Sequence, residues 1–411
     1  MSSFLPSPPS TCAEAGLRLV KHRGQWLEEH IRQGAKTMKS VTTRHPFVWA
    51  LACSLIASAA QATEADWVFH PSPELGYLQE GHAMAYDSAR GLSVLYGGCK
   101  LDEHWEWDGN YWTQPPPVYP NPGLRWGHSM AYDSARDVTV LFAGFVDHWD
   151  WDWPWSKTWE WDGTYWTLAS EAGPSPRNGH AMAYDSADGV VTLYGGGEWG
   201  DVARDDTWEW NGSTWIQQYP AANPGPRVGH AVAYDSAHDV TVLFGGLDEN
   251  GVELGDTWEW NGKDWTQQSD TGPDPQADHA MAYDSARGVT VLAGQDETWE
   301  WNGTVWEQQH PAHTPGRLYD PAMVYDSARG VMVLVNIDGE TWEYTAPQQD
   351  CVGDLDGDND TDHSDLGILL GDWGCVGSGP DDCPGDLDGD FDTDHADLGV
   401  LLGDWGCGTT P

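Results

Sequence analysis

The sequence predicts an all-β, six-bladed propeller closed by an N-terminal strand and followed by a small α domain of two calcium loop-helix units. Three observations predict it: a strand-turn-strand segment that recurs six times, tryptophans that pair six with six, and an Asp-rich segment duplicated near the C-terminus.

Composition sets the frame. The 411 residues include 27 Trp, 48 Gly and 26 Pro, a mixture that favours short strands joined by turns over long helices. A formal net charge of -46 excludes nucleic acid and anionic membrane as natural partners, because phosphate recognition needs a basic surface. Calcium is the expected counterion.

The N-terminal segment has the layout of a leader. From Met38 the chain reads "MKSVTTRHPFVWALACSLIASAAQA", with Lys39 and Arg44 as a basic region, an apolar run through Ala60, and an Ala60-Gln61-Ala62 cleavage site. Residues 38–62 are therefore expected to be a secretory signal peptide, residues 1–37 an over-long gene start, and the mature protein to begin near Thr63. The apolar run is short for a membrane anchor, and no membrane span is expected after cleavage. Cys53 is a poor lipoprotein site, since more apolar chain follows it.

The repeat occupies residues 63–348. "GHAMAYDSARGLSVLYGG" at 81–98 returns at 127, 179, 229, 278 and 320. This spacing belongs to propeller blades rather than helical arrays. In "HAMAYD" the large His82, Met84 and Tyr86 alternate with Ala83 and Ala85, as in a strand wedged between sheets. "DSARG" is a turn, and runs such as "VTVLFGG" are second strands buried on both faces. "TWEW" and the following Trp segment are the third and fourth strands. They are joined at Asp108-Gly109, Asp162-Gly163, Asn211-Gly212, Asn261-Gly262 and Asn302-Gly303, where two-residue type I′ turns with positive φ at both residues are expected.

The sixth copy stops after "ETWEYTAP" at 340–347 without a fourth strand, whereas "DWVFHPSP" precedes the first copy without a third. Third-strand tryptophans stand at 105, 159, 208, 258, 299 and 342, and fourth-strand ones at 67, 112, 166, 215, 265 and 306. Trp67 is thus expected to complete the last blade and leave no terminal edge.

The combination of Arg-x-Gly-His, a first-strand Tyr, Gly-Gly after the second strand and Trp in the third, as in "PRNGHAMAYD…LYGG…DTWEWNG", resembles a kelch repeat over about residues 64–347. The sixth copy departs with Pro321 and Val335-Asn336, and the second and fifth with Ala143-Gly144 and Ala293-Gly294. The resemblance implies a partner-binding propeller, with an enzyme similar to galactose oxidase as the minority case; the fold alone does not choose.

Residues 350–411 carry the clearest chemistry. "CVGDLDGDNDTDHSDLGILLGDWGC" at 351–375 is repeated at 383–407. Counting from Asp354, carboxylates fall at loop positions 1, 3, 5, 7, 9 and 12: Asp354, Asp356, Asp358, Asp360, Asp362 and Asp365. The second loop supplies Asp386, Asp388, Asp390, Asp392, Asp394 and Asp397. That spacing wraps oxygen ligands around one hard cation per loop, with position 7 using its carbonyl, before position 12 opens a helix. Position 6, usually Gly, is Asn359 in one loop and Phe391 in the other, so the second site is expected to be the looser.

Two loop-helix units with Asp at position 12 resemble a dockerin domain. The resemblance implies two calcium ions and docking onto a cohesin-like module. Helical rise puts Cys351 and Cys375 of one unit roughly 18 Å apart, too far to bridge. The antiparallel helices of dockerins imply instead Cys351–Cys407 and Cys375–Cys383, with Cys99 left over.

Two features of the propeller are candidate sites. His82, His128, His180, His230 and His279 recur at one position, with Arg125, Arg177, Arg227 and Arg317 nearby. Such regularity points to structural hydrogen bonding rather than a metal ring. The irregular feature is "FVDHWDWDWPWSK" at 145–157, whose Trp149, Trp151, Trp153 and Trp155 alternate with Asp150 and Asp152. Indole faces flanked by carboxylates suit sugar rings, although tryptophans also serve packing throughout this chain. The expected function is a secreted, non-catalytic binding or scaffold protein, its propeller presenting a carbohydrate or protein surface and its tail giving calcium-dependent attachment. The alternative is a secreted carbohydrate-active enzyme with its site at the propeller mouth.

Overall fold

Each of the six copies forms one four-stranded antiparallel sheet, and the six sheets are the blades of a β-propeller in this computed structural model. The structure describes residues 65–72, 74–76, 78, 80–98, 101–145, 156–198, 203–346 and 363–371, with 393, 398 and 401. Within a blade, sequence order is spatial order. Blade 4, for example, runs Ala231–Asp235, Val240–Phe244, Thr257–Trp260 and Trp265–Ser269 from the axis outward. The sixth sheet takes its outermost strand from Asp66–His70, which lies antiparallel to Thr341–Thr345 with Trp67 opposite Tyr344.

The core lies between blades rather than within them. Ala83, Ala85, Val94 and Tyr96 of blade 1 pack on Met130, Leu141, Trp159, Trp161 and Trp166 of blade 2. Second strands are buried beyond their first residue, as their apolar runs require: Val94, Leu95, Val140, Leu141, Val242 and Leu243 expose nothing. Six of the largest fully buried side chains are tryptophans, each worth roughly 4–6 kcal/mol of gross hydrophobic stabilisation before ordering entropy is subtracted.

Polar side chains then stitch neighbouring blades in a repeated pattern. First-strand tyrosine hydroxyls rest on the turn of the preceding blade beside its buried aspartate: the Tyr234 oxygen accepts the N–H of Ala187 at 3.4 Å, Tyr283 that of Ala237 at 3.2 Å and Tyr86 of blade 1 that of Ala328 of blade 6 at 3.3 Å, next to Asp185, Asp235 and Asp326. Burial, with these carboxylates adding to it, pushes the Tyr86 hydroxyl up to about 12. In five junctions the outermost Trp donates its indole N–H to a buried threonine of the preceding blade, as Trp265 does to Thr207 at 2.9 Å.

The hairpins between third and fourth strands differ from expectation. Trp107 pairs directly with Trp112, and Trp210 with Trp215, so the loops hold four residues rather than two. Only the glycines, Gly109 at 91° and Gly212 at 85°, are left-handed; Asp108 and Asn211 are not. The reason is the preceding side chain. Asp108 Oδ1 accepts the N–H of Asn110 and of Tyr111, both at 2.8 Å, and Asn211 Oδ1 accepts those of Ser213 and Thr214. An Asx cap therefore replaces the type I′ turn.

In the C-terminal region, helix α1 spans His363–Gly371, buries Leu369 and exposes Leu370. It begins just before Asp365, where the loop spacing places a helix start. Leu398 and Leu401 of the second unit are also helical. No helix among the described residues is long and apolar enough to cross a membrane.

Candidate functional site: the central channel and its rim

The six first strands line a central cavity of about 190 Å³. Its rim is made by one residue per blade, in order Gly81, Gly127, Gly179, Gly229, Asp278 and Asp320. All six are left-handed, with φ from 47° at Asp320 to 80° at Gly81. Crowding explains the glycines: a Cβ on Gly81 would stand 2.4 Å from the amide nitrogen of Gly127. The N–H of Gly127 donates to Gly81 O, that of Gly179 to Gly127 O, that of Gly229 to Gly179 O and that of Asp278 to Gly229 O. Between blades 6 and 1 the link changes kind, for the N–H of Gly81 donates to the Asp320 carboxylate.

Asp tolerates the left-handed region better than most residues, and here it brings charge to an otherwise peptide-lined rim. Burial pushes the Asp320 carboxyl up to about 6; the Gly81 N–H opposes that shift and the nearby Glu80 carboxylate adds to it. Burial also raises Glu80. Where blade 6 meets blade 1 the rim can thus hold a proton on Asp320 or Glu80 in mildly acidic solution, whereas from Gly127 to Gly229 the rim residues themselves are glycines whose peptide groups bond to one another.

The recurrent histidines sit just below the rim and are buried, each 5–6 % exposed. His128 stands edge-on to Tyr96, His180 to Phe142, His230 to Tyr194 and His279 to Phe244, with ring centroids 5.5–6.0 Å apart. In every case the aromatic partner belongs to the preceding blade. His82 Nε2 lies 3.2 Å from the carbonyl of Val335, its counterpart in blade 6. Burial pushes His180 and His279 down to about 3, so these rings are neutral packing elements near pH 7. Among the described residues no group of three His, Cys, Asp or Glu could hold a metal ion.

The arginines beside them are also structural in large part. Arg177 forms a bidentate pair with Asp206 at 2.8 and 2.9 Å, and Arg227 with Asp256 at 2.9 and 3.0 Å. Arg125 is buried and donates to the carbonyls of Ala143 and Pro122. Arg317 is exposed, 5.5 Å over the ring of Tyr319.

Several sequence-derived candidates lie outside the described residues. These are the loop residues Trp149, Asp150, Trp151, Asp152, Trp153 and Trp155, the cysteines Cys99, Cys351, Cys375, Cys383 and Cys407, and the carboxylates of both Asp-rich loops, the side chain of Asp365 included. The role of Asp278 and Asp320 was missed, although a signal existed: the copies beginning "GHAM" become "DHAM" and "DPAM" in the two blades where the rim turns acidic. No protein-family model matches the chain, and no curated protein matches it either.

Proposed function

We propose that this is a secreted, kelch-type propeller that binds rather than transforms its ligand, and that its C-terminal unit is a dockerin-like calcium module anchoring it to an extracellular assembly through a cohesin-like partner. The observation that carries the binding reading is the six-bladed propeller itself, a rigid ring with variable loops on its ends. Closure by the Asp66–His70 strand and export through a leader at 38–62 belong to the same proposal. The tail reading rests on ligand spacing. Asp354, Asp356, Asp358, Asp360 and Asp365 would hold one calcium, and Asp386, Asp388, Asp390, Asp392 and Asp397 the other. The clustered carboxylates repel one another without a cation, so calcium stabilises the folded tail by mass action. Cys351–Cys407 and Cys375–Cys383 would then tie its two ends.

Calorimetric titration of the mature chain with calcium tests this. Two ions of unequal affinity are expected, Phe391→Gly should strengthen the weaker, and chelator should abolish capture of a cohesin-like partner while sparing the propeller's melting. A chain that takes up no calcium would remove the tail reading; a glycan array and pull-down test the propeller's ligand separately.

A further inference from the structure

The stitching between blades fails at one junction. The indole N–H of Trp112 donates to Thr341, that of Trp215 to Thr158, that of Trp306 to Thr257, each at 2.8 Å, and Trp67 and Trp265 follow suit with Thr298 and Thr207. Trp166 of blade 2 should meet the same hydroxyl on blade 1. There the sequence places His104 instead, its ring edge-on to Trp166 at 5.8 Å, and the Trp166 N–H has no partner.

A second link is missing beside it. Trp107, Trp210, Trp260 and Trp301 donate to a third-strand glutamate of the preceding blade, Glu343, Glu160, Glu209 and Glu259 respectively. The corresponding Trp161 donates to nothing, and His104 packs against its ring at 4.4 Å. His104 Nε2 stands 3.6 Å from Glu106 Oε1, beyond hydrogen-bond reach, and is itself unpaired. Trp166 and Trp161 are only 3 % and 2 % exposed, so these are buried donors of a kind that native interiors normally satisfy.

A cavity of about 250 Å³ opens at the same junction, lined by His104 and Trp166 with Asp102, Gln114, Tyr119 and Asn121. Pro115, Pro116 and Pro117 complete an apolar wall, and the Tyr119 ring is 79 % exposed. From this coincidence of cavity and broken pattern we infer that the junction between blades 1 and 2 is a saccharide site, receiving one sugar ring between Tyr119, the prolines and Trp166.

The chemistry selects the ligand. The unpaired Trp166 N–H asks for an acceptor, whereas Asp102 and the Gln114 carbonyl ask for donors. A cation satisfies only the second set, an anion only the first, and a hydroxyl satisfies both. Pyranose C–H faces suit the exposed Tyr119 and the prolines. The volume falls just below the roughly 300–1,000 Å³ of drug-sized pockets, which fits a single ring or chain end. This deepens the carbohydrate arm of the binding proposal and moves it away from the 145–157 loop.

The test uses the mature chain, with methyl glycosides of common hexoses, pentoses and N-acetylhexosamines as probes, followed by saturation-transfer NMR and titration. At least one should bind. His104→Thr, which installs the residue of the other junctions and gives Trp166 an internal partner, should weaken it tenfold or more without lowering the melting temperature. Tyr119→Ala should do the same, and Tyr219→Ala, at an exposed tyrosine after the fourth strand of blade 3, should leave it unchanged. Unaltered affinity in both His104→Thr and Tyr119→Ala would overturn the site while leaving a sugar-binding propeller. Binding of no glycoside, with a protein partner still captured in pull-down, would mean the cavity holds water alone and would overturn the inference without touching the wider binding proposal.

Discussion

Blades 2 and 4 share a backbone and differ in how they treat the three tryptophans at equivalent places in their third and fourth strands. In blade 4, Trp258 donates to Asp256 at 2.6 Å, Trp260 to Glu209 at 3.3 Å and Trp265 to Thr207 at 2.9 Å. In blade 2 the equivalent Trp159, Trp161 and Trp166 donate to nothing. Lys157 stands where Asp256 stands, and His104 where Thr207 stands. Yet the indoles of both blades are buried to similar extents where they pack on the preceding blade: Trp161 and Trp260 are 2 % and 1 % exposed. Apolar burial therefore builds the ring, and the hydrogen bonds are a second layer that one blade can shed.

The comparison is broken most forcefully at Asp256. Asp256→Ala removes both oxygens that hold the 1 %-exposed Arg227 side chain and the acceptor of Trp258, leaving a buried cation unpaired. A loss of about 3 kcal/mol or more is expected in urea denaturation. A loss under about 1 kcal/mol would show that blade 4 gains little from its polar layer.

A matched pair sharpens it. Thr207→Val keeps the shape but orphans Trp265, which should cost about 1–2 kcal/mol, while His104→Thr repairs the orphaned Trp166 and should stabilise by a similar amount. Equal signs for the two substitutions would contradict the equivalence of these positions.

The smallest effect is in pH dependence. Burial, with the nearby Arg90 charge adding to it, pushes His104 down to about 3. The unfolded chain takes up that proton near the ordinary histidine value of about 6.5, so this group's stability is present above pH 6.5 and is lost as pH falls toward 3. His104→Thr should consequently lose less stability between pH 7 and pH 5 than the parent. Asp320, raised to about 6, works in the opposite sense as pH rises from 3.8, but it is common to both proteins and cancels in the difference. Identical slopes would mean that His104 titrates normally.

Much of the ring was legible in the sequence because it is written six times. Period, strand order and the doubly buried second strands each follow from residue spacing alone, whereas the fourth-strand tryptophans pair with Trp107, Trp161, Trp210, Trp260 and Trp301 rather than with Trp105, Trp159, Trp208, Trp258 and Trp299, against which the count set them. The hairpin loops were misread because Asp-Gly and Asn-Gly signal a turn without fixing its length; the Asx side chain, which captures two N–H groups, is what lengthens it. His104 was visible as a departure from "TWEW", but its meaning was not. Its partner Trp166 lies in another blade, and only three-dimensional proximity shows that a hydroxyl has been withdrawn from an indole. The rim carboxylates were likewise spelled out in two copies, while the left-handed φ that turns them toward the axis belongs to the fold.

The indole stitches between blades run in one direction, with the Trp donor on the later blade and the Glu or Thr acceptor on the earlier one. A blade is thus polar in the sense of a plug and a socket, and the interface is heterologous, of the type that closes only when the rotation per subunit divides the circle. A half-ring of three blades would carry sockets at one end and plugs at the other. Two such halves would complete each other through the contacts already present, and a ring assembled from separate chains would need no new chemistry.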